Sequence, residues 1–229
     1  MNINYNTEKL LIAPSFPKKN LSDISTFFRP YDFFKRFFDL LFALILFPLL
    51  FPLMVFIAAL IKLDSKGPAI YSHQRVGKNG KIFNCLKFRT MIENATSLKK
   101  KIEHLNEMQG PVFKIKNDPR MTRIGKFLRR FSIDEFPQII NIIRGDMSFV
   151  GPRPPLPEEV TKYNPWHKKR LSVTPGLTCL WQINGRNNIQ DFDEWVAMDL
   201  KYIETASIKN DIKIIIKTIP IVLSRNGAY

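Results

Sequence analysis

Residues 40–61 read LLFALILFPLLFPLMVFIAALI, 22 consecutive positions without a charge. The hydrocarbon core of a bilayer needs about 20 apolar residues in helical form, so this stretch points to a membrane. Two features complicate a simple span. Pro48 and Pro52 lie one turn apart in its middle, and each removes a helical hydrogen bond and crowds the preceding turn. Cations flank both ends, Lys35 and Arg36 before and Lys62 and Lys66 after, whereas a span concentrates Lys and Arg on its cytoplasmic side. Two forms meet these facts. One is a kinked span, since prolines are tolerated in spanning helices. The other is a re-entrant helix that enters, breaks near Pro52 and returns to the side it left. Phe33, Phe34, Phe37 and Phe38 with Lys35 and Arg36 make an amphipathic, interface-seeking entry.

Working outward, residues 1–29 are polar, lack the apolar core and cleavage site of a signal peptide, and read as a flexible lead-in. Residues 30–63 form the entry and membrane helix, and residues 64–229 a cytoplasmic body. In that body 70–71 and 81–88 read as short strands, joined through the hairpin signal Asn79-Gly80. Residues 90–109 read as a lysine-rich helix, 120–130 as a basic helix and 136–143 as an apolar one. Gly151 to Pro155 is a rigid loop, and 192–205 and 211–223 are two more helices, the last packed or interfacial. The fold class is α+β, mainly helical. The formal net charge of +15 calls for an anionic partner: nucleic acid, acidic lipid or a phosphorylated substrate. Cys85 and Cys179 have no metal-ligand spacing and fit a reducing compartment. His73, His104 and His167 are scattered and read as surface or packing residues.

Asp134 and Glu135 are the residues best suited to chemistry. Each also has a structural reading: Ser132 with Glu135 is a capping box, or a helix starts at Pro137. Both acids follow the cations Arg120, Arg123, Lys126, Arg129 and Arg130, which favour an ionised carboxylate. An ionised aspartate can attack phosphorus, and a neighbouring carboxylate can hold Mg²⁺, which takes one or two carboxylates plus phosphate oxygens. Arg153, between prolines, is a stiff arginine fitted to bidentate phosphate contact. Arg75, Lys87 and Arg89 surround the hairpin. No glycine loop of phosphate-cradling spacing and no Ser/His/Asp motif is present, so phosphate chemistry here rests on cations and metal.

Taken in order, Lys35-Arg36-Phe37-Phe38-Asp39, the apolar stretch with Pro52, Lys87-Phe88-Arg89-Thr90-Met91, Asp134-Glu135, residues 145–154 (GDMSFVGPRP), residues 174–178 (TPGLT) and Asn184-Gly185-Arg186 resemble the bacterial sugar transferase family, the monotopic phosphoglycosyl transferases. The resemblance covers about residues 30–225. It implies a monotopic protein on the cytoplasmic face of the inner membrane, with a re-entrant helix broken at Pro52. Phe51 stands where some members have serine, and Pro48 is an additional proline. The resemblance further implies transfer of a sugar-1-phosphate from a UDP-sugar to undecaprenyl phosphate, with release of UMP. Asp134 would be the nucleophile, Asp134 and Glu135 the Mg²⁺ ligands, and Lys87, Arg89, Gln138, Arg153 and Arg186 the substrate contacts. The chain resembles the minimal catalytic form, with membrane lipids as partners, no nucleic acid, and an oligomeric state, homodimer included, left open. The competing reading is a non-enzymatic basic protein of the membrane surface that binds acidic lipid or nucleic acid. It gives no reason for an acidic pair within a basic domain.

Overall fold

A computed structural model of the chain describes residues 30–115, 117–184, 189 and 191–223. The expected lead-in over 1–29 and the site residue Arg186 lie outside the described residues. The apolar stretch belongs to one long helix, α1 (Pro30–Asp64), helical through both prolines. It is long and apolar enough to cross a membrane by length and composition. The break expected at Pro52 does not interrupt the helical backbone. Proline leaves the carbonyl one turn earlier without its donor but need not end the helix.

What distinguishes α1 is how it is held. Asp39, Ala43, Met54, Ile57 and Ile61 are buried, with Phe47 and Leu50 half-buried. This stripe at steps of three and four is the spacing of one helix face. Phe33, Phe34, Phe37, Phe42, Leu49, Phe51 and Phe56 are exposed, as are both prolines. The inner stripe lies against the body from end to end. Tyr31 and Lys35 bond Asp211. The Arg36 guanidinium donates to the carbonyls of Ile142 and Ile143. Asp39 Oδ1 accepts from the Phe149 amide at 3.2 Å, and Asp64 Oδ2 accepts from the Ile124 amide at 3.2 Å.

The body begins with an antiparallel hairpin, β1 (Ile70–Val76) and β2 (Ile82–Phe88). Its turn is built as the sequence suggests, Asn79 (φ 56°) and Gly80 (φ 81°) taking the left-handed conformations that these residues tolerate. β1 runs to Val76, well past the expected Tyr71. The long helix expected over 90–109 is absent. Only α2 (Ala95–Leu98) and a 3-10 stretch, Lys100–Leu105, form: Asn94 takes a left-handed conformation (φ 65°) just before α2, and the backbone kinks at Ile102 (φ −114°, ψ 16°). α3 (Arg123–Arg130) follows, its first turn capped by Thr122, whose hydroxyl accepts from the Gly125 amide. Then come a 3-10 turn (Ile133–Glu135), α4 (Gln138–Arg144) and β3 (Ser148–Val150). The short α5 (Pro157–Thr161) and α6 (Pro165–Lys168) lead to β4 (Gly176–Thr178), which pairs in parallel with β3. α7 (Leu180–Ile183), α8 (Phe192–Thr205) and α9 (Ile208–Leu223) end the described chain. The fold is α+β and mainly helical, as expected.

Two apolar clusters hold the hairpin and α4 on α1. Ala43, Phe83, Cys85, Ile139, Ile142 and Met147 form one, and Met54, Ile57, Ile61, Phe88 and Leu128 the other. A third, around Trp181, Trp195 and Phe192, lies under α8 and takes nothing from α1. The long apolar helix is thus structural to the half of the body that carries β2 and α4.

Candidate active site

Asp134 and Glu135 sit in the tight turn between α3 and α4. Ser132 enters that turn at φ 55°, ψ 20°, a left-handed conformation costly for serine, so the expected capping box does not form. Of the two structural readings, the one that starts the helix at Pro137 is nearer, since Pro137 immediately precedes α4. The turn carries Asp134 inward, leaving it 7% exposed.

Lys87, near the end of β2, meets the pair from the opposite side. Its Nζ lies 2.5 Å from Glu135 Oε1 and 3.9 Å from Asp134 Oδ2. A residue not singled out in the sequence fixes this approach. Asn141 of α4 is fully buried, and its amide completes the open edge of β2. Oδ1 accepts from the Leu86 amide at 3.0 Å, and Nδ2 donates to the Asn84 carbonyl at 2.8 Å and to Asp146 Oδ2 at 3.3 Å. The helix that follows Asp134 and the strand that carries Lys87 are therefore pinned by one side chain. An asparagine in an apolar helix was its only sequence signal, and a buried amide must find partners.

Burial pushes the Asp134 carboxyl up to about 6. Lys87 opposes the rise, Glu135 adds to it and Arg129 opposes it. The expectation that neighbouring cations keep this acid ionised therefore holds above about pH 6, but burial outweighs them below it. Of the cation run before the pair, Arg129 alone is among the main influences on Asp134. Arg120 is buried against Asp118, and Arg123, Lys126 and Arg130 are exposed.

Arg153 follows β3 on the proline loop. Its side chain is about one-third exposed, with NH1 3.8 Å from Glu159 Oε2. Lys87 and Arg153 act on a common neighbour: burial first, then the charges of Arg75, Lys87 and Arg153, hold the His73 imidazole down at about 3. His73 is thus neutral, accepts from Arg75 Nε at 2.6 Å, and is half-buried, in keeping with the packing reading, near Lys87 and Arg153. Gln138 is buried at the start of α4, one turn beyond Asp134. Arg89, two residues from Lys87, is used elsewhere: its guanidinium donates to the carbonyl and hydroxyl of Ser65, closing the connection between α1 and β1. The structure does not bring it to the acid pair.

The carboxylates of Asp134 and Glu135 are hard oxygen donors, and no group of three or more His, Cys, Asp or Glu able to hold a metal exists among the described residues. Two carboxylates fit Mg²⁺, which fills its remaining positions with water and substrate phosphate, and would not suffice for zinc.

The site is an acidic pair met by cations, on a body that clasps a helix apolar and long enough to cross a membrane by length and composition. The chain belongs to the bacterial sugar transferase family, whose model matches residues 30–225. It is 50% identical over 194 residues to the galactosyl transferase CpsE of Streptococcus agalactiae serotype III (strain NEM316), across 85% of this chain and 43% of that protein. It is 42% identical over 201 residues to the undecaprenyl-phosphate galactose phosphotransferase of Salmonella typhimurium (strain LT2), across 86% of this chain and 42% of that protein. The chain thus spans about two-fifths of the length of these two relatives. Against the exopolysaccharide production protein ExoY of Rhizobium meliloti (strain 1021) it is 43% identical over 199 residues, 85% of this chain and 88% of that protein.

Proposed function

We propose that the chain transfers a hexose-1-phosphate from a UDP-sugar to undecaprenyl phosphate, giving undecaprenyl-diphosphate-sugar and UMP, as the first membrane step of surface glycan assembly. The observation that carries the reading is the buried Asp134 with the Lys87 ammonium beside it and its partner Glu135. In the first half-reaction a carboxylate oxygen of Asp134 attacks the β-phosphorus. The bond from that phosphorus to the bridging oxygen breaks, and UMP leaves with that oxygen. In the second, a phosphate oxygen of the lipid attacks the same phosphorus and returns the electron pair to the Asp134 carboxylate. Lys87 and Arg153 supply positive charge to the transferring phosphate, where it develops negative charge. Asp134 and Glu135 would hold Mg²⁺, which when bound neutralises phosphate charge. Glucose and galactose, the sugars in the relatives' names, are the first to test.

The test is UMP release from a UDP-sugar panel without lipid acceptor. A burst no larger than the enzyme present, and parallel initial-rate lines with acceptor, are expected of a covalent intermediate. Asp134→Asn should abolish the burst. A folded Asp134→Asn protein that still turns over removes the covalent route.

We read α1 as re-entrant, on the cytoplasmic face of the inner membrane. At 1.5 Å per residue the helix is about 52 Å long, yet the same body grips Tyr31 at its start and Asp64 at its end. A span would place those ends on opposite sides of the bilayer. Pro48 and Pro52 lie on the exposed face, where they free two carbonyls on the outside of any bend toward the body. The exposed Ile212, Ile216 and Ile219 of α9, tied to α1 through Asp211, extend the apolar surface. Cysteines introduced at Asp32 and Lys66 should both resist a membrane-impermeant maleimide in intact cells, the native Cys85 and Cys179 being buried. Labelling of either from the periplasm overturns this topology.

A further inference from the structure

Arg153 owes its placement to a loop with almost no amides. Pro152, Pro154 and Pro155 have no N–H to give, and such a segment cannot close local turns through those positions. The four carbonyls from Pro152 to Pro155 are instead each taken by a donor from outside the loop. The Pro152 carbonyl accepts from the Gly176 amide at 2.9 Å, and the Pro155 carbonyl from the Val76 amide at 2.9 Å. Between them, two buried arginines bond consecutive carbonyls: Arg170 NH2 donates to Arg153 at 3.2 Å and Arg75 NH1 to Pro154 at 2.9 Å. Gly176 is required for the first contact. A Cβ there would lie 2.0 Å from the Gly151 nitrogen.

Arg170 is itself fixed on three sides. It is 3% exposed, its NH2 lies 2.5 Å from Asp199 Oδ2, and its NH1 donates to the Tyr163 hydroxyl at 2.9 Å. The rings of Tyr163 and Phe192 flank the guanidinium, 6.0 and 5.8 Å from its carbon. A buried ion pair is weak evidence for stability, because desolvation offsets much of the attraction. An arginine used this way, with one arm on the Arg153 carbonyl, has a reason to exist that stability does not supply.

We propose that Arg170, oriented by Asp199 and Tyr163, is a positioning residue for the transfer reaction: it holds the Arg153 backbone so that the Arg153 side chain meets the substrate phosphate. This rests on the reading of Arg153 as a phosphate contact. Arg170 touches no reacting atom and acts only through Arg153. Lysine at 170 keeps the charge opposite Asp199 but lacks the planar fork that reaches two acceptors at once. A misplacement of about 1 Å in a positioning group lowers rates by up to about 10²-fold.

The test is a double-mutant cycle on the membrane-embedded full chain, with kcat and KM for the UDP-sugar and thermal unfolding measured together. Arg170→Lys should lower kcat/KM about tenfold or more in the wild-type background, mainly through KM. In an Arg153→Ala background it should lower kcat/KM no further, while shifting the unfolding temperature equally in both. Equal losses of kcat/KM in the two backgrounds would make Arg170 merely structural and overturn the proposal. Should Arg170→Lys fail to fold, Tyr163→Phe, which removes one of the three holds, runs the same cycle with a smaller loss and the same criterion. Wild-type kcat/KM for Arg153→Ala would refute the phosphate role of Arg153 and the positioning role with it, and is told apart from the additive outcome by that single variant.

Discussion

The hairpin and the proline loop each carry one of the two cations of the proposed phosphate site, Lys87 and Arg153, and they hold it by opposite means. Lys87 is carried by a ladder of seven register pairs from Ile70 opposite Phe88 to Val76 opposite Ile82, with Asn141 closing the free edge. Arg153 has no ladder, and its mount consists of four carbonyls bonded by donors from distant parts of the chain. A ladder is local and repetitive, so the loss of one member is shared among the rest. A loop fixed by isolated long-range donors has no such redundancy. The two regions should therefore respond differently to mutation. Changes under Lys87 register first as stability, and changes under Arg153 first as KM.

The largest expected effect removes the hairpin's cation itself. Lys87→Met keeps the length of the side chain but leaves Asp134 and Glu135 without their shared counter-charge. Loss of one preorganised electrostatic partner costs about 10²–10³-fold in kcat. The pH profile separates this from general damage. In the proposed reaction deprotonated Asp134 is the reactive form, so in the wild type kcat/KM should fall as pH drops through about 6. Because Lys87 holds that value down, its removal should move the acid limb to higher pH. An unmoved limb would mean that another group governs the profile. Stability runs the opposite way. Since burial raises this carboxyl above its ordinary value, the native state binds a proton that the unfolded chain has released, and stability contributed by the site declines as pH rises from about 4 to about 6. Asp134→Asn should accordingly be at least as stable as wild type at neutral pH while inactive, the usual trade between stability and a working site.

A smaller effect is expected beneath the ladder. Asn141→Leu matches volume roughly but removes three hydrogen bonds and leaves the part-buried Leu86 amide and Asn84 carbonyl without this partner. A stranded polar group costs about 1–3 kcal/mol when buried, and the part-buried pair here should lie at the low end of that range. Chemical denaturation should detect that loss, with kcat reduced less than in Lys87→Met. If kcat collapses while stability holds, the amide has a direct role at the acid pair and the contrast with the proline loop fails.

How much of this was legible in the sequence follows the same division. The hairpin announces itself through Asn79-Gly80 and alternating apolar residues, because its information is local. The proline loop announces stiffness but not its donors. Arg75, Arg170 and Asp199 lie 78, 17 and 46 positions from Arg153 by residue number, and no local pattern links them. Lys87 and Arg89 look equivalent as cations two residues apart, and only the path of the chain after α1 shows that Arg89 is used on Ser65. The three-residue strands β3 and β4 are too short to carry a period. The acid pair was visible as a pair, but the burial of Asp134, and hence its raised carboxyl, arises where the turn between α3 and α4 meets distant β2, which no local pattern encodes.

The smallest expected effect lies in the turn that carries Asp134, the proposed nucleophile. Asn79, Asn94 and Ser132 are the non-glycine residues with positive φ among the described residues. Asparagine tolerates that conformation through its own side chain, whereas serine bears a cost of about 1–2 kcal/mol. Ser132→Gly relieves that cost but adds freedom to the unfolded chain worth about 0.4–1 kcal/mol. The net change in stability is then between zero and about 1.6 kcal/mol in favour of the variant. Ser132→Ala, which removes the hydroxyl and keeps the backbone cost, serves as the control for side-chain contacts. Ser132→Val should be the least stable of the three, since a β-branched residue is poorly accommodated at positive φ. Strain beside a reacting group persists where the surroundings impose it and the site uses it. If the left-handed turn is what aims Asp134 at the phosphate, Ser132→Gly should lower kcat severalfold with stability unchanged or improved, and Ser132→Ala should leave kcat nearer to wild type. Equal kcat for wild type, glycine and alanine would mean that α4 and the covering helix alone orient the nucleophile, and that the turn, like the hairpin, is only a connection.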